Sequence, residues 1–154
     1  DLCELVKKYY YSPMMNGSNS IKKVLPAILN ESSFLKEKYS KPIYGSSNGI
    51  FSLNFSNWIW LQKGADGKIK DPYKLLPQIF NEEEILEMEL LTNNEKIADG
   101  GAAMTAFARM QFSEMFEVEA KHIQNALLKY CELDTLAMVM IYEYWKNVVF
   151  IDEK

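Results

Sequence analysis

Residues 127–138 read LLKYCELDTLAM, and they set a tyrosine and a carboxylate four residues apart in a largely apolar run. Four residues are just over one helical turn, so the Tyr130 hydroxyl and the Asp134 carboxylate project from the same face of a predicted helix. An aspartate on such a face must cap a helix, pair with a cation or bind a metal, because an unpaired buried carboxylate is strongly disfavoured. The stretch therefore predicts both a helix and a candidate site on it.

The composition indicates a folded protein, with 48% hydrophobic and 13% aromatic residues among 154. No apolar run approaches the roughly 18 residues that span a bilayer, and the first residues do not resemble a signal peptide. Cys3 and Cys131 lie far apart without a zinc-type spacing. We expect both to be reduced, in a cytoplasmic protein that makes no membrane contact.

The formal charge is unevenly distributed along the chain. Residues 1–45 hold seven lysines against four acids, or +3, whereas residues 46–154 hold ten basic residues against seventeen acids, or −7. A dedicated nucleic-acid clamp would be more basic overall, although the N-terminal part could touch a phosphate backbone locally. The length fits one domain, residues 1–154. The chain also lacks an initial methionine and enters an amphipathic pattern at its first residue, so we expect that it is a fragment of a longer protein.

The apolar spacing predicts a mainly α fold with one small β-hairpin, of the α+β class. Residues 50–62 are rich in aromatic and β-branched side chains and precede a turn at residues 64–67, which indicates the hairpin. Pro26 is expected to kink or shorten the second helix. The predicted helices are 1–11, Ile21 to about Leu29, a short one through Lys38, a short one between Pro72 and Pro77, 82 to about Leu91, 102–112, and about Glu114 to Asn147 with a break near Glu132.

Five segments spread over nearly the whole chain form a recognisable set. They are Asp1-Leu2, Tyr10-Tyr11-x-Pro13, Gly17-Ser18-x-Ser20-Ile21-Lys22-x-Val24-Leu25-Pro26, Ile97-Ala98-Asp99-Gly100-Gly101-x-Ala103 and Tyr130-Cys131-Glu132-x-Asp134-Thr135-Leu136-Ala137-Met138. Together, and in this order, they resemble a bacterial family of uncharacterised domains related to the DEDD-type 3′–5′ exonucleases, in the form whose third motif is Tyr-x-x-x-Asp.

The resemblance implies a ribonuclease H-like fold and a nuclease that acts on nucleic acid with divalent metal, Mg²⁺ or Mn²⁺. Asp134 would then help to hold the metals, and Tyr130 would orient the attacking water. The family, however, needs four carboxylates, the first two in an Asp-x-Glu motif, and this sequence contains no Asp-x-Glu. We therefore expect the C-terminal helical portion of the fold, which binds no metal and is inactive by itself.

Each candidate residue also has a structural interpretation. Asp134 could be the N-cap of a last helix that starts at Thr135, with Tyr130 as a core aromatic residue. Asp99, with the two glycines after it, is typical of a tight turn that caps the following helix.

A second candidate site lies at the predicted start of the second helix. Ser18, Ser20, Lys22 and Lys23 lie there, and helix N-termini bind phosphate readily, so they are candidates for nucleic-acid contact. The serines could equally be caps and the lysines surface charges. His122 stands alone on a helix and indicates neither a triad nor a zinc site.

A different class of function, a non-catalytic helical interaction module, is the alternative. In both cases residues 126–145 are apolar on nearly every face, which a helix tolerates only when it is buried all round. We therefore expect the isolated chain to form homo-oligomers.

Overall fold

The computed structural model describes residues 1–79 and 97–151, of which the last two are described by their backbone alone. The described chain is mainly helical, as predicted, and it contains no β-strand. The helix predicted from residue 82 lies outside these ranges. The helices are α1 Leu2–Tyr9, α2 Ile21–Glu31, α3 Ser33–Tyr39, α4 Gly100–Phe112 and α5 Glu117–Ile151, and 3₁₀ turns occupy Pro13–Met15 and Pro72–Leu75.

Short polar side chains cap the first turns of α1, α3 and α4, the last through Asp99. Asp1 accepts a hydrogen bond from the amide of Cys3, and Ser32 accepts one from the amide of Leu35. Such caps satisfy amide groups that have no partner within the helix. α1 ends at Tyr9, two residues earlier than predicted, because Tyr10 already has an extended backbone.

α2 runs through Pro26 and ends at Glu31, two residues beyond the predicted end. The prediction that proline shortens this helix is therefore wrong. A proline inside a helix costs about 3 kcal/mol, whereas each fully buried aliphatic side chain contributes about 1.5 to 3 kcal/mol. Leu25, Ile28 and Leu29 are all completely buried on this helix, and their burial outweighs the cost.

The chain forms two compact units. The first comprises residues 1–72 and, in its described part, 133–151. α3 is joined to α5 here, because Lys38 pairs with Glu143 at 2.6 Å and the Tyr39 hydroxyl donates to the same carboxylate at 3.1 Å. The fully buried side chains of this unit include Val24, Leu25, Ala27, Ile28, Leu29, Leu35, Trp60, Leu133, Ala137 and Met140.

The predicted β-hairpin is not confirmed. Its region forms isolated bridges instead of paired strands. Tyr44 bridges to Ile50 and to Trp58, and Lys63 bridges to Ile69 across the predicted turn. The predicted turn does form, since the amide of Gly64 donates to the carbonyl of Lys68 at 2.8 Å. What orders this loop is a cluster of aromatic rings, with centroids 4.9 to 5.9 Å apart, from Tyr44, Phe55, Trp58 and Trp60.

The second unit comprises, in its described part, residues 73–79 and 97–132. Arg109 of α4 pairs with Glu119 of α5 at 2.6 Å, and the glutamate is only 5% exposed. α5 shows no interruption at Glu132, so the predicted break there is wrong. Among the described helices, none is long and apolar enough to cross a bilayer.

Candidate functional site

Tyr130 occupies a buried position on α5, in the second unit. It is 6% exposed, and its ring packs against Tyr73 with the centroids 6.1 Å apart. Its hydroxyl oxygen lies 4.0 Å from the place that a Cβ atom would take at Gly100. Two of the segments that the sequence singled out, around Asp99 and around Tyr130, therefore meet in space although thirty residues separate them.

Asp99 caps α4, as the structural interpretation predicted. Its carboxylate accepts a hydrogen bond from the amide of Ala102 at 2.8 Å, and its own backbone is extended. An added Cβ at Gly101 would approach Asp99 Oδ1 to 3.2 Å, so the capping carboxylate would have to shift by a few tenths of an ångström. The cap and the glycine together hold the first turn of α4 next to the Tyr130 hydroxyl.

Asp134 follows Tyr130 by one turn of α5 and is half-buried. The helix continues through it without a break, so the interpretation of Asp134 as the N-cap of a helix from Thr135 is wrong. Tyr130 and Asp134 do share one helix, as the spacing predicted. In the described part of the chain no three His, Cys, Asp or Glu side chains gather as a metal site would require.

Ser18, Ser20, Lys22 and Lys23 lie at the start of α2. Ser20 is the N-cap residue, but its side chain makes no capping hydrogen bond, whereas Ser18 Oγ accepts from the amide of Ser20 at 3.3 Å. Capping by its own side chain therefore does not explain Ser20. Lys22 is half-buried and Lys23 is exposed.

Two carboxylates that the sequence patterns did not single out each pair with a basic side chain of another helix at 2.6 Å. Glu119 meets Arg109 within the second unit, and Glu143 meets Lys38 and Tyr39 within the first. Each lies on α5 among apolar neighbours in sequence, which is the one signal that could have indicated a buried acid with a partner. Both join helices, and neither lies in a cluster of acids.

Among the described residues, the histidine and the two cysteines show no arrangement that indicates a function. His122 is half-buried on α5, while Cys3 and Cys131 are exposed. Comparison of the chain with protein-family models, with curated proteins and with solved structures finds no match. The chemistry of the site therefore has to be argued from its own residues.

Proposed function

We propose that this chain is the C-terminal helical portion of a ribonuclease H-like domain, from a bacterial metal-dependent nuclease of the 3′–5′ exonuclease type. The observation that carries the proposal is the position of Tyr130, against Gly100 and one helical turn before Asp134. The two motifs that resemble the exonuclease family therefore approach each other through the tyrosine hydroxyl. A buried tyrosine at that position has a hydroxyl that can orient a water molecule.

The residues present do not make a metal site by themselves. Two-metal phosphodiester cleavage needs several carboxylates around the scissile bond, and a Mg²⁺ site normally draws on one or two carboxylates together with substrate phosphates. Of the four carboxylates in the exonuclease pattern, this chain matches Asp134 alone, and Asp-x-Glu is absent from its sequence. The carboxylates that complete the site would have to come from a longer parent chain, so we propose no hydrolytic step for this one.

The test uses the parent protein and begins with its sequence before Asp1. The proposal requires an Asp-x-Glu motif and a further acid there. Asp134→Asn and Tyr130→Phe in the parent should each abolish Mn²⁺-dependent release of nucleotides from a labelled oligonucleotide, whereas Tyr142→Phe, on the exposed side of the same helix, should not. Full activity of Asp134→Asn would overturn the assignment. So would hydrolysis by the 154-residue chain alone that Asp134→Ala removes.

A non-catalytic interaction module is the second candidate, because the second unit carries large apolar side chains in solvent. Met104, Phe107 and Phe112 on α4 are 76%, 56% and 89% exposed, and Phe116 just before α5 is 73% exposed. Soluble monomers rarely leave such groups together. We propose that the chain forms a homodimer, whose mass light scattering would measure. A monomeric chain at micromolar concentration would count against this candidate, and Phe112→Glu should dissociate a dimer that uses this surface.

A further inference from the structure

A cleft of about 400 Å³ opens at the end of α1, where the chain leaves the helix. Its lining includes two lysines and three consecutive tyrosines, residues 7–11 of the sequence, together with Gly17 from the turn before α2. All of these residues belong to the first unit.

The three tyrosines have different surroundings because the backbone changes at Tyr10. Tyr10 has an extended backbone, its ring packs edge-on against Tyr144 at 5.7 Å, and its hydroxyl donates to Glu31 at 2.9 Å. Side chains alternate sides along an extended segment, so Tyr11 faces the opposite way and is 82% exposed. Tyr9, at the last position of α1, is 70% exposed. Two aromatic rings therefore stand in solvent on either side of an anchored one.

The charged side chains among the described residues that line this cleft are both lysines, and Glu31, a carboxylate bonded to one of the lining tyrosines, is engaged by the Tyr10 hydroxyl. Lys8 is exposed, and no carboxylate is found among the described residues that line the cleft. Lys7 pairs with Glu4 at 2.9 Å, but both side chains are about half exposed, and such pairs contribute little in water. The Lys7 ammonium can therefore exchange its partner for another anion. Lys23, at the start of α2, adds a further exposed cation to this part of the chain.

The exposed rings and ammonium groups together indicate which class of ligand this cleft can bind. A lysine ammonium pairs with phosphate as a point charge, and a tyrosine ring stacks on the flat face of a base. In a duplex the base faces are already stacked on each other, so both contacts are available together only in a single strand. An acidic peptide could also pair with the lysines, but a nucleic acid presents a phosphate and a flat base at every residue, which matches adjacent lysines and tyrosines more closely.

We propose that this cleft, which we call the tyrosine cleft (residues 7–11 with Gly17), binds single-stranded nucleic acid. Lys7 and Lys8 contact the phosphates, and bases stack on Tyr9 and Tyr11. The inference deepens the proposed function, on which it rests for the biological role of the polymer. It extends the candidate contact at Ser18, Ser20, Lys22 and Lys23 to the neighbouring turn and names the kind of strand that is bound.

The experiment measures binding of the whole chain to a fluorescent oligothymidylate of about 12 nucleotides by anisotropy, in EDTA and at several salt concentrations. Tyr11→Ala should weaken binding about tenfold, since one stacked base is lost, and Tyr11→Trp should restore it. Lys8→Gln should reduce the slope of log K against log salt by about 0.7, which corresponds to one phosphate contact on a single strand. The matched controls are Tyr142→Ala and Lys41→Gln, an exposed tyrosine and an exposed lysine of the same unit.

Binding of the single strand in preference to a duplex of equal length, with losses confined to the tyrosine-cleft variants, supports the proposal. Absence of binding at low salt, equal binding of the duplex, or equal losses from the control variants overturns it. Retention by anionic lipid vesicles without oligonucleotide binding overturns it as well. Because EDTA prevents metal-dependent hydrolysis, a failure here leaves the nuclease assay on the parent protein as a separate result.

Discussion

The hydroxyl oxygen of Tyr130 lies 4.0 Å from the position that a Cβ atom would take at Gly100. A methyl group added at Gly100 would therefore make an ordinary van der Waals contact with the Tyr130 hydroxyl, without compression. A methyl group would fit at Gly100, whereas at Gly101 it would approach Asp99 Oδ1 to 3.2 Å. The two adjacent glycines are therefore not equivalent.

Replacing each glycine by alanine should therefore change the free energy of unfolding differently. Gly100→Ala should raise the free energy of unfolding by about 0.5 kcal/mol, because alanine has less conformational entropy to lose than glycine. Gly101→Ala should show no such gain, since its Cβ disturbs the capping carboxylate. Urea unfolding followed by circular dichroism measures both, and a larger gain from Gly101→Ala would contradict the packing described here.

If Asp99 stabilises α4 by capping it, replacement by alanine and by asparagine should have different effects. Asp99→Ala should lower the free energy of unfolding by about 1 kcal/mol, because the amide of Ala102 loses its acceptor. Asp99→Asn should cost much less, since asparagine caps helices about as well as aspartate. Equal losses from both variants in thermal unfolding would show that the charge of Asp99, and not its capping bond, is what matters.

Glu143 joins α3 to α5 and should be sensitive to loss of its charge. Glu143→Gln should lower the free energy of unfolding by about 1 to 2 kcal/mol, because the Lys38 ammonium loses its anionic partner at a partly buried position and is left with a neutral amide oxygen. The control is Glu37→Gln, which removes an exposed pair with Lys41 at 3.5 Å and should cost less than about 0.5 kcal/mol. Chemical denaturation that shows the same loss for both would contradict the assignment.

Gly45 and Gly17 both have positive φ angles, 71° and 74°, but differ in their surroundings. A Cβ at Gly45 would lie 1.9 Å from the carbonyl oxygen of Phe55, whereas at Gly17 nothing lies within 4 Å. Gly17→Ala should therefore cost about 1 kcal/mol, from backbone strain alone. Gly45→Ala should cost more than about 3 kcal/mol and disorder the aromatic cluster, which tryptophan fluorescence would report. A native spectrum for Gly45→Ala would rule out this close approach.

The raised pKa values of three tyrosines lead us to expect a loss of stability at alkaline pH. Burial raises the pKa of Tyr10, and its hydrogen bond to Glu31 raises it further. Burial raises the pKa of Tyr39 as well, together with the charge of Glu143, and the pKa of Tyr144 is raised mainly by burial. The unfolded chain loses these protons near pH 10 while the folded chain retains them, so stability is fully present below about pH 10 and falls above it.

Urea unfolding between about pH 8 and pH 11 should show this fall. Tyr39→Phe and Tyr10→Phe should each make it shallower, because one retained proton is removed. Tyr11→Phe is the control, since its side chain is mostly exposed, and it should leave the slope unchanged. A slope that no buried-tyrosine variant alters would show that other groups cause the alkaline loss.

The helices could be predicted because their signals are local. Asp99 before Gly100 and Ser32 before Ser33 are cap residues at the start of apolar periodic segments, and α4 and α3 begin there. The continuity of α5 could not be read in the same way, since a break was expected at Glu132. Leu133 is completely buried, and burial of this helix face holds the helix together through Asp134 and Thr135, whose intrinsic helix preferences are low.

The predicted hairpin is not confirmed, because residues 50–62 contain turn-forming residues that interrupt the aromatic pattern on which the prediction depended. Ser52 Oγ accepts hydrogen bonds from the amides of Asn54 and Phe55, which bends the chain in the middle of the expected strand. Asn57 then adopts a φ of 47°, which a strand cannot contain. Serine and asparagine at these positions were the available signal.

For the candidate site, sequence spacing predicted that Tyr130 and Asp134 share a helix, but it could not predict that Gly100 packs against the tyrosine. That contact joins positions thirty residues apart and depends on packing within the second unit. The tyrosine cleft was missed although its residues are consecutive. Whether a tyrosine is exposed or anchored depends on where α1 ends, and the predicted end of the helix was two residues too late.

The loop of residues 40–71 is ordered by packed aromatic side chains more than by main-chain hydrogen bonds. Trp60 is completely shielded there by other rings, yet the main-chain hydrogen bonds around it are scattered single contacts, such as those from Gly45 to Ile50 and from Trp58 to Tyr44. Amide hydrogens in such a segment exchange with solvent through small local openings, whereas the indole becomes accessible only when the rings separate. Amide exchange and indole shielding would therefore report different events in this loop, and rapid exchange would not mean that the loop has lost its order.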